Sequence, residues 1–181
     1  MKTRSLPVHR LELRVRELMQ LFNSLDPTPF LNKDLDRSAE MFIENWALGF
    51  PPNSRLHVTI HLENPPVDGD ATALMTEAIH NYFEYKTGLI RGDLKLLLRE
   101  GRVSLLIGLA FVTVCLIGAE AITVLGTSNA SIIARESLTI IGWVAMWRPI
   151  QIFLYDWWPL VRRIHVYKNL RYAQVRVVSG K

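Results

Sequence analysis

The spacing of hydrophobic and polar positions changes character several times along this chain, and each change predicts an element. Leu11, Leu13 and Val15 alternate with Arg10, Glu12, Arg14 and Arg16, the two-residue period of a half-buried strand. Two prolines within three residues, in Leu25-Asp26-Pro27-Thr28-Pro29-Phe30, then predict an ordered turn. From Arg37 to Leu48 the period lengthens to that of a helix, with Ala39, Phe42, Ile43 and Trp46 as its apolar face. Asp36 is placed to cap it, and Gly49-Phe50-Pro51-Pro52 ends it. Alternation returns over Leu56–Glu63, where Leu56, Val58, Ile60 and Leu62 face one way and His57, Thr59 and His61 the other. A second break, Asn64–Asp70, precedes a helix from about Ala71 with Leu74, Ala78, Tyr82 and Tyr85 on one face. Gly88 and Gly92 are candidate kinks before it runs on toward the most apolar part of the chain.

Two long apolar stretches follow, Val103–Gly126 and Leu138–Leu160. Each exceeds the roughly 20 residues needed to cross ~30 Å of hydrocarbon, and a chain this small has little else with which to cover them as core helices. Past them, Val175 and Val177 flank Arg176 in Ala173–Val178, a third strand candidate. The pattern therefore predicts three parts. Residues 1–100 form a small cytoplasmic α/β (α+β) domain of strand–helix–strand order, with a helix leading into the membrane. Residues 101–160 form a two-helix transmembrane hairpin. Residues 161–181 form a basic cytoplasmic tail with a possible third strand.

Charge sets the expected orientation. The chain has 21 Lys and Arg against 17 Asp and Glu, but the excess is local. Arg162, Arg163, Lys168, Arg171, Arg176 and Lys181 follow the second stretch with no acid among them. Arg91, Lys95, Arg99 and Arg102 precede the first, while the intervening segment Thr127–Ser137 carries Arg135 beside Glu136. The positive-inside rule then places both termini in the cytoplasm. Basic residues beside a span suit anionic lipid, so the bilayer is the expected partner and nucleic acid is not. Met1–Arg16 lacks the apolar core of a secretory signal. Cys115 is the single cysteine, which rules out an internal disulfide or a cysteine-based metal site.

Charged and polar side chains inside the spans are the strongest candidates for function, because a lone charge in hydrocarbon is costly. Arg148 lies about 15 Å and Glu120 about 9 Å from the outer ends of their spans. Helical side chains lean toward the helix N-terminus, so in antiparallel spans these two lean toward each other and are expected to pair, within a monomer or between neighbours. Arg148, Gln151 and Tyr155 share one helical face, a polar stripe suited to protein or water. Pro149 should kink the helix and free the carbonyl of Ala145. Trp157 and Trp158 with Tyr155 form an interfacial aromatic belt, with Asp156 among them in reach of Arg162 or Arg163. Ser104 with Gly108, and Cys115 with Ala119, have the spacing of close helix contacts. His57 and His61 are a weak candidate metal pair, and His57-Val58-Thr59 resembles one of the two His-x-Thr elements of two-histidine phosphoesterases. No catalytic motif stands out and no cofactor is expected.

Leu21–Phe30, Leu35–Ala47, Glu100–Leu116 and Gly142–Arg163 together resemble a family of small uncharacterised bacterial two-span membrane proteins, Gly142–Pro159 being the most specific match. The resemblance implies a bacterial inner (plasma) membrane location and carries no activity or site residues with it. The leading expectation is a non-enzymatic scaffold or regulatory subunit, with Leu25–Phe30 as a docking edge for a membrane protein partner. The alternative is a self-associating pore or transporter built on the Arg148 stripe. The third is a membrane-surface enzyme using His57 and His61.

Overall fold

A computed structural model describes residues 7–29, 31, 33–51, 54–64, 71–126 and 128–179. In chain order the elements are β1 (Val8–Val15), a 3-10 turn (Leu18–Leu21), α1 (Arg37–Leu48), β2 (Arg55–Leu62), α2 (Ala71–Leu125), α3 (Asn129–Ala145), α4 (Trp147–Gln151), a π-turn (Ile152–Asp156), α5 (Trp157–Arg171) and β3 (Gln174–Ser179). The chain divides into two compact units, with breaks after Arg91 and after Leu160, inside α2 and α5. The segments before Pro7, Phe30, the break at 65–70 and the last two residues lie outside the described residues.

The first unit is built on a three-stranded sheet in the order β1-β2-β3, parallel throughout. Leu11 sits opposite Val58, and Val58 opposite Val175. One face of the central strand is closed by burial: Leu56, Val58, Ile60 and Leu62 are all buried, as are Ile43 and Ala47 of α1, Phe83 of α2 and Tyr167 and Leu170 of α5. Each of the Leu, Val, Ile and Phe side chains among them contributes about 1.5–3 kcal/mol on leaving water. The third strand candidate therefore returns to the sheet, and parallel pairing obliges the chain between β2 and β3 to make a long crossover.

Local signals explain most boundaries in this unit. The Asp36 side chain accepts a hydrogen bond from Ser38 N at 2.9 Å and starts α1. The proline-containing turn is pinned by Asp26, whose carboxylate accepts from Thr28 N at 3.0 Å and Asp34 N at 2.7 Å. Two helical faces are rotated from expectation. In α1 Phe42 is 56% exposed, and Ile43 with Ala47 is the buried pair. In α2 Leu74 and Tyr85 are exposed, and Met75, Ala78, Ile79, Tyr82 and Phe83 are buried. Ile43, Ala78 and Tyr82 stay on the buried side, so each face turns by roughly 70°, less than one residue's ~100°, and the turn follows from where the sheet's apolar side chains stand.

The second unit is a helical hairpin. α2 continues unbroken through Gly88 and Gly92. Arg135 and Glu136, expected in a loop, belong to α3, which begins at Asn129 where the Ser128 side chain accepts from Ser131 N. Both helical stretches contain a window long and apolar enough to cross a membrane, and only 17% of each window is buried within the protein. A soluble core helix would be mostly covered, so the exposed apolar surface here fits a lipid solvent.

Candidate functional site

Close helix contact in the hairpin begins with three residues seven apart: Gly101, Gly108 and Cys115. A β-carbon on Gly101 would meet Ile152 Cγ2 at 2.8 Å, and one on Gly108 would meet the Ala145 carbonyl oxygen at 3.1 Å. Farther along, a β-carbon on Gly142 would meet Cys115 Cβ at 3.1 Å. The positions descend on one helix as they ascend on the other, so this is an antiparallel seam, and the heptad spacing keeps it on one face. Of the small residues expected at helix contacts, Gly108, Cys115 and Ala119 are buried here.

The seam brings Glu100, next to Gly101, against the irregular part of the second helix. Pro149 has no N–H to offer Ala145, and the helix is interrupted at Met146, whose N–H turns back to Trp143 and Val144. The π-turn follows at once. Eight α-helical residues rotate about 800°, leaving Asp156 some 80° away from Arg148. The wider π-turn absorbs roughly one extra residue and restores the phase. Arg148 Nη1 consequently donates to Asp156 Oδ2 at 3.0 Å, and its Nη2 to Glu100 Oε1 at 3.0 Å.

Within one chain this corrects the expected ion pairs. Glu120 is exposed and forms no ion pair among the described residues, whereas Arg148 holds two carboxylates at once. The register of the seam is the reason: Gly108 lies against Ala145, so Arg148 stands opposite the turn near Ser104, roughly 20 Å along the helix from Glu120. Asp156 is engaged by Arg148, not by Arg162 or Arg163. Arg162 Nη2 instead donates to the Leu48 carbonyl at 2.8 Å, and Arg163 reaches Glu44 at 2.7 Å, both within the first unit. Gln151 and Tyr155 are exposed, so the stripe of Arg148, Gln151 and Tyr155 is divided between a paired arginine and two outward side chains. Trp157 donates to the Phe153 carbonyl at 2.9 Å and packs edge-on to Trp158.

In the first unit, Glu44, Arg163 and Tyr167 form a closed network. The Tyr167 hydroxyl donates to Glu44 Oε2 at 2.8 Å and accepts from Arg163 Nη2 at 3.1 Å. Burial pushes the Tyr167 phenol up, and the Glu44 hydrogen bond adds to it. The arginine is held still more firmly in its charged form, chiefly by its hydrogen bond to Glu44. This network ties α5 to α1.

The uncovered sheet face is the second candidate surface. Its rows are Arg10, His57 and Gln174, then Glu12, Thr59 and Arg176, then Arg14, His61 and Val178. The side chains of Arg10, Glu12, Arg14, Gln174 and Arg176 are exposed, and His57, Thr59 and His61 between them are half-buried. His61 Nε2 lies 3.8 Å from Glu12 Oε2. His57 and His61 share this face four residues apart, with Thr59 between them, but among the described residues no three His, Cys, Asp or Glu side chains gather as metal ligands would. Leu25, in the expected docking edge, is exposed at the turn.

No family model, curated protein or solved structure matches this chain.

Proposed function

We propose that the protein is a two-span membrane component, a scaffold or regulatory subunit, that presents the uncovered sheet face to a protein partner on the cytoplasmic side. The observation that carries the reading is that open face. An all-parallel sheet is ordinarily covered on both sides, yet this one exposes Arg10, Arg14 and Arg176, and none of the three forms an ion pair among the described residues. A partner supplying carboxylates completes the layer that the described residues leave open.

The pairing of β2 with β3 supports the topology. These strands lie on either side of the hairpin in sequence and are hydrogen-bonded in one sheet, so the intervening chain crosses a membrane an even number of times. The basic residues flanking both helices favour the cytoplasm for that shared side. Arg148 finds both its carboxylates within its own unit, which supports a structural role for the intramembrane charge over a place in a pore.

A photo-crosslinking residue at Thr59, in the middle of the face, tests the docking reading in native membranes. A discrete crosslinked protein is expected from position 59, lost on Arg14→Glu, and absent from a control at the exposed Arg37 of α1. Equal labelling from both positions, or none from Thr59, would overturn the reading. The topology is checked separately with Cys115→Ala and single cysteines at Thr59 or Ala130. An impermeant thiol reagent should reach position 130 in intact cells and position 59 only after lysis.

A further inference from the structure

Within the second unit, Leu96, Val103, Ile107 and Phe111 recur at helical spacing along α2 and, with Ala145, line a groove of about 780 Å³. One end is charged, at Arg99 and Glu100. The glutamate is already taken up by Arg148. Arg99 forms no ion pair among the described residues, nor do Lys95 and Arg102, one turn to either side. The groove thus joins an apolar floor to a cationic mouth. From Arg99 to Phe111 the helix rises about 18 Å, close to one leaflet's share of a ~30 Å hydrocarbon core.

We infer that this groove is a binding site for one anionic phospholipid, its phosphate held by Arg99 with Lys95 and an acyl chain lying along Val103, Ile107 and Phe111. The inference rests on the membrane-spanning reading. A second copy of the chain is the poorer occupant. Close helix association uses small residues, and of those lining the groove Gly108 and Ala145 already lie against each other, an added β-carbon on Gly108 meeting the Ala145 carbonyl oxygen at 3.1 Å and Met146 Sδ at 3.2 Å. What remains open is lined by Ser104 among the bulky Leu96, Val103, Ile107 and Phe111 and ends in uncompensated positive charge, the complement of an anionic lipid.

Native mass spectrometry of the full chain in mild detergent, with phosphatidylglycerol or phosphatidylcholine of identical acyl chains, tests the site. One phosphatidylglycerol should be retained in preference to phosphatidylcholine. Arg99→Gln should lower its occupancy about fivefold, the weight of one basic residue at an anionic surface, and Arg99→Lys should restore most of it. Val103→Trp, which fills the floor without changing charge, should displace the lipid, while Arg55→Gln in the other unit should change nothing. Equal retention of both lipids, an unchanged Arg99→Gln, or a groove emptied by dimer formation would overturn the inference. These failures are distinct from failure of the spanning reading, which the cysteine-accessibility measurement reports independently.

Discussion

Four of the five glycines of α2 provide an internal test of the hairpin seam. At Gly88 and Gly92 an added β-carbon meets nothing within 4 Å, so replacement by alanine acts only on the backbone and stabilises by up to about 1 kcal/mol. At Gly101 the same methyl meets Ile152 Cγ2 at 2.8 Å and Phe153 Cζ at 3.1 Å. Carbon atoms prefer about 3.5–4.0 Å, so the overlap with Ile152 is about an ångström. Ile152 is itself fully buried, which leaves it little room to change rotamer. Overpacking of this kind costs roughly 1–3 kcal/mol. At Gly108 the obstacle is the backbone carbonyl of Ala145 at 3.1 Å, which moves only if α3 moves, and about 1 kcal/mol is expected. The helix-propensity gain that would offset these losses is small inside the two long apolar helices, because helices of this kind persist in detergent.

The assay is unfolding in mixed micelles by increasing fractions of SDS, followed by tryptophan emission in a Trp46→Phe background. The remaining tryptophans, Trp143, Trp147, Trp157 and Trp158, then all report on the hairpin. Gly92→Ala should unfold at equal or higher SDS, and Gly101→Ala and Gly108→Ala at lower SDS. If all the variants shift in the same direction, the seam placed at Gly101 and Gly108 is wrong.

Further outcomes concern the first unit. Glu44→Ala removes the acceptor shared by Tyr167 and Arg163 and should cost about 1–3 kcal/mol, toward the lower value because Arg163 is partly solvated; thermal unfolding followed by far-UV circular dichroism measures it. Backbone hydrogen bonds from Asp34 and Thr28 hold the Asp26 carboxyl below its usual range. Its support of the turn is therefore complete above the unfolded pKa of about 4 and is lost as pH falls through the lower folded value. Amide shifts of Thr28 and Asp34 should follow that acid transition and lose it in Asp26→Asn. Burial first, then a hydrogen bond to a glutamate, raises both Tyr82 and Tyr167. In ultraviolet titration neither should ionise around pH 10, where free phenols do, until the unit unfolds.

How far the sequence reaches depends on whether an element is specified locally. α1 runs from Arg37 to Leu48 behind an Asp36 cap, and those limits are legible because capping and period both lie within the segment. The alternation in β2 and in β3 was equally plain. The phase of the helical faces was not: Ile43 and Ala47 are buried in preference to Phe42 because of residues on other elements, which the α1 sequence does not contain. Arg148 shows the same division more sharply. Its cost in a bilayer was evident, but its partners depend on a π-turn for which the sequence offers only Pro149 as a hint. A usable signal did exist in Gly101, Gly108 and Cys115, whose seven-residue spacing marks the seam and places the neighbouring Glu100 beside the second helix.

The order of the elements also constrains how the fold is completed. Glu44 and Tyr167 are 123 residues apart in sequence, and the whole hairpin lies between them. β2 therefore has only β1 to pair with until both apolar helices and α5 have been made. A two-stranded parallel ribbon is marginal alone, and loop-closure entropy opposes the distant pairing until the ends are brought together. The seam of the hairpin does this, because an antiparallel pair of helices returns the chain toward its starting level. The Glu44, Arg163 and Tyr167 network and the β2–β3 ladder then form over a gap that the hairpin has already shortened. On this account the small-residue seam in one unit and the sheet in the other are successive requirements of a single assembly, and the docking face proposed on that sheet becomes available only to chains whose two helices have paired.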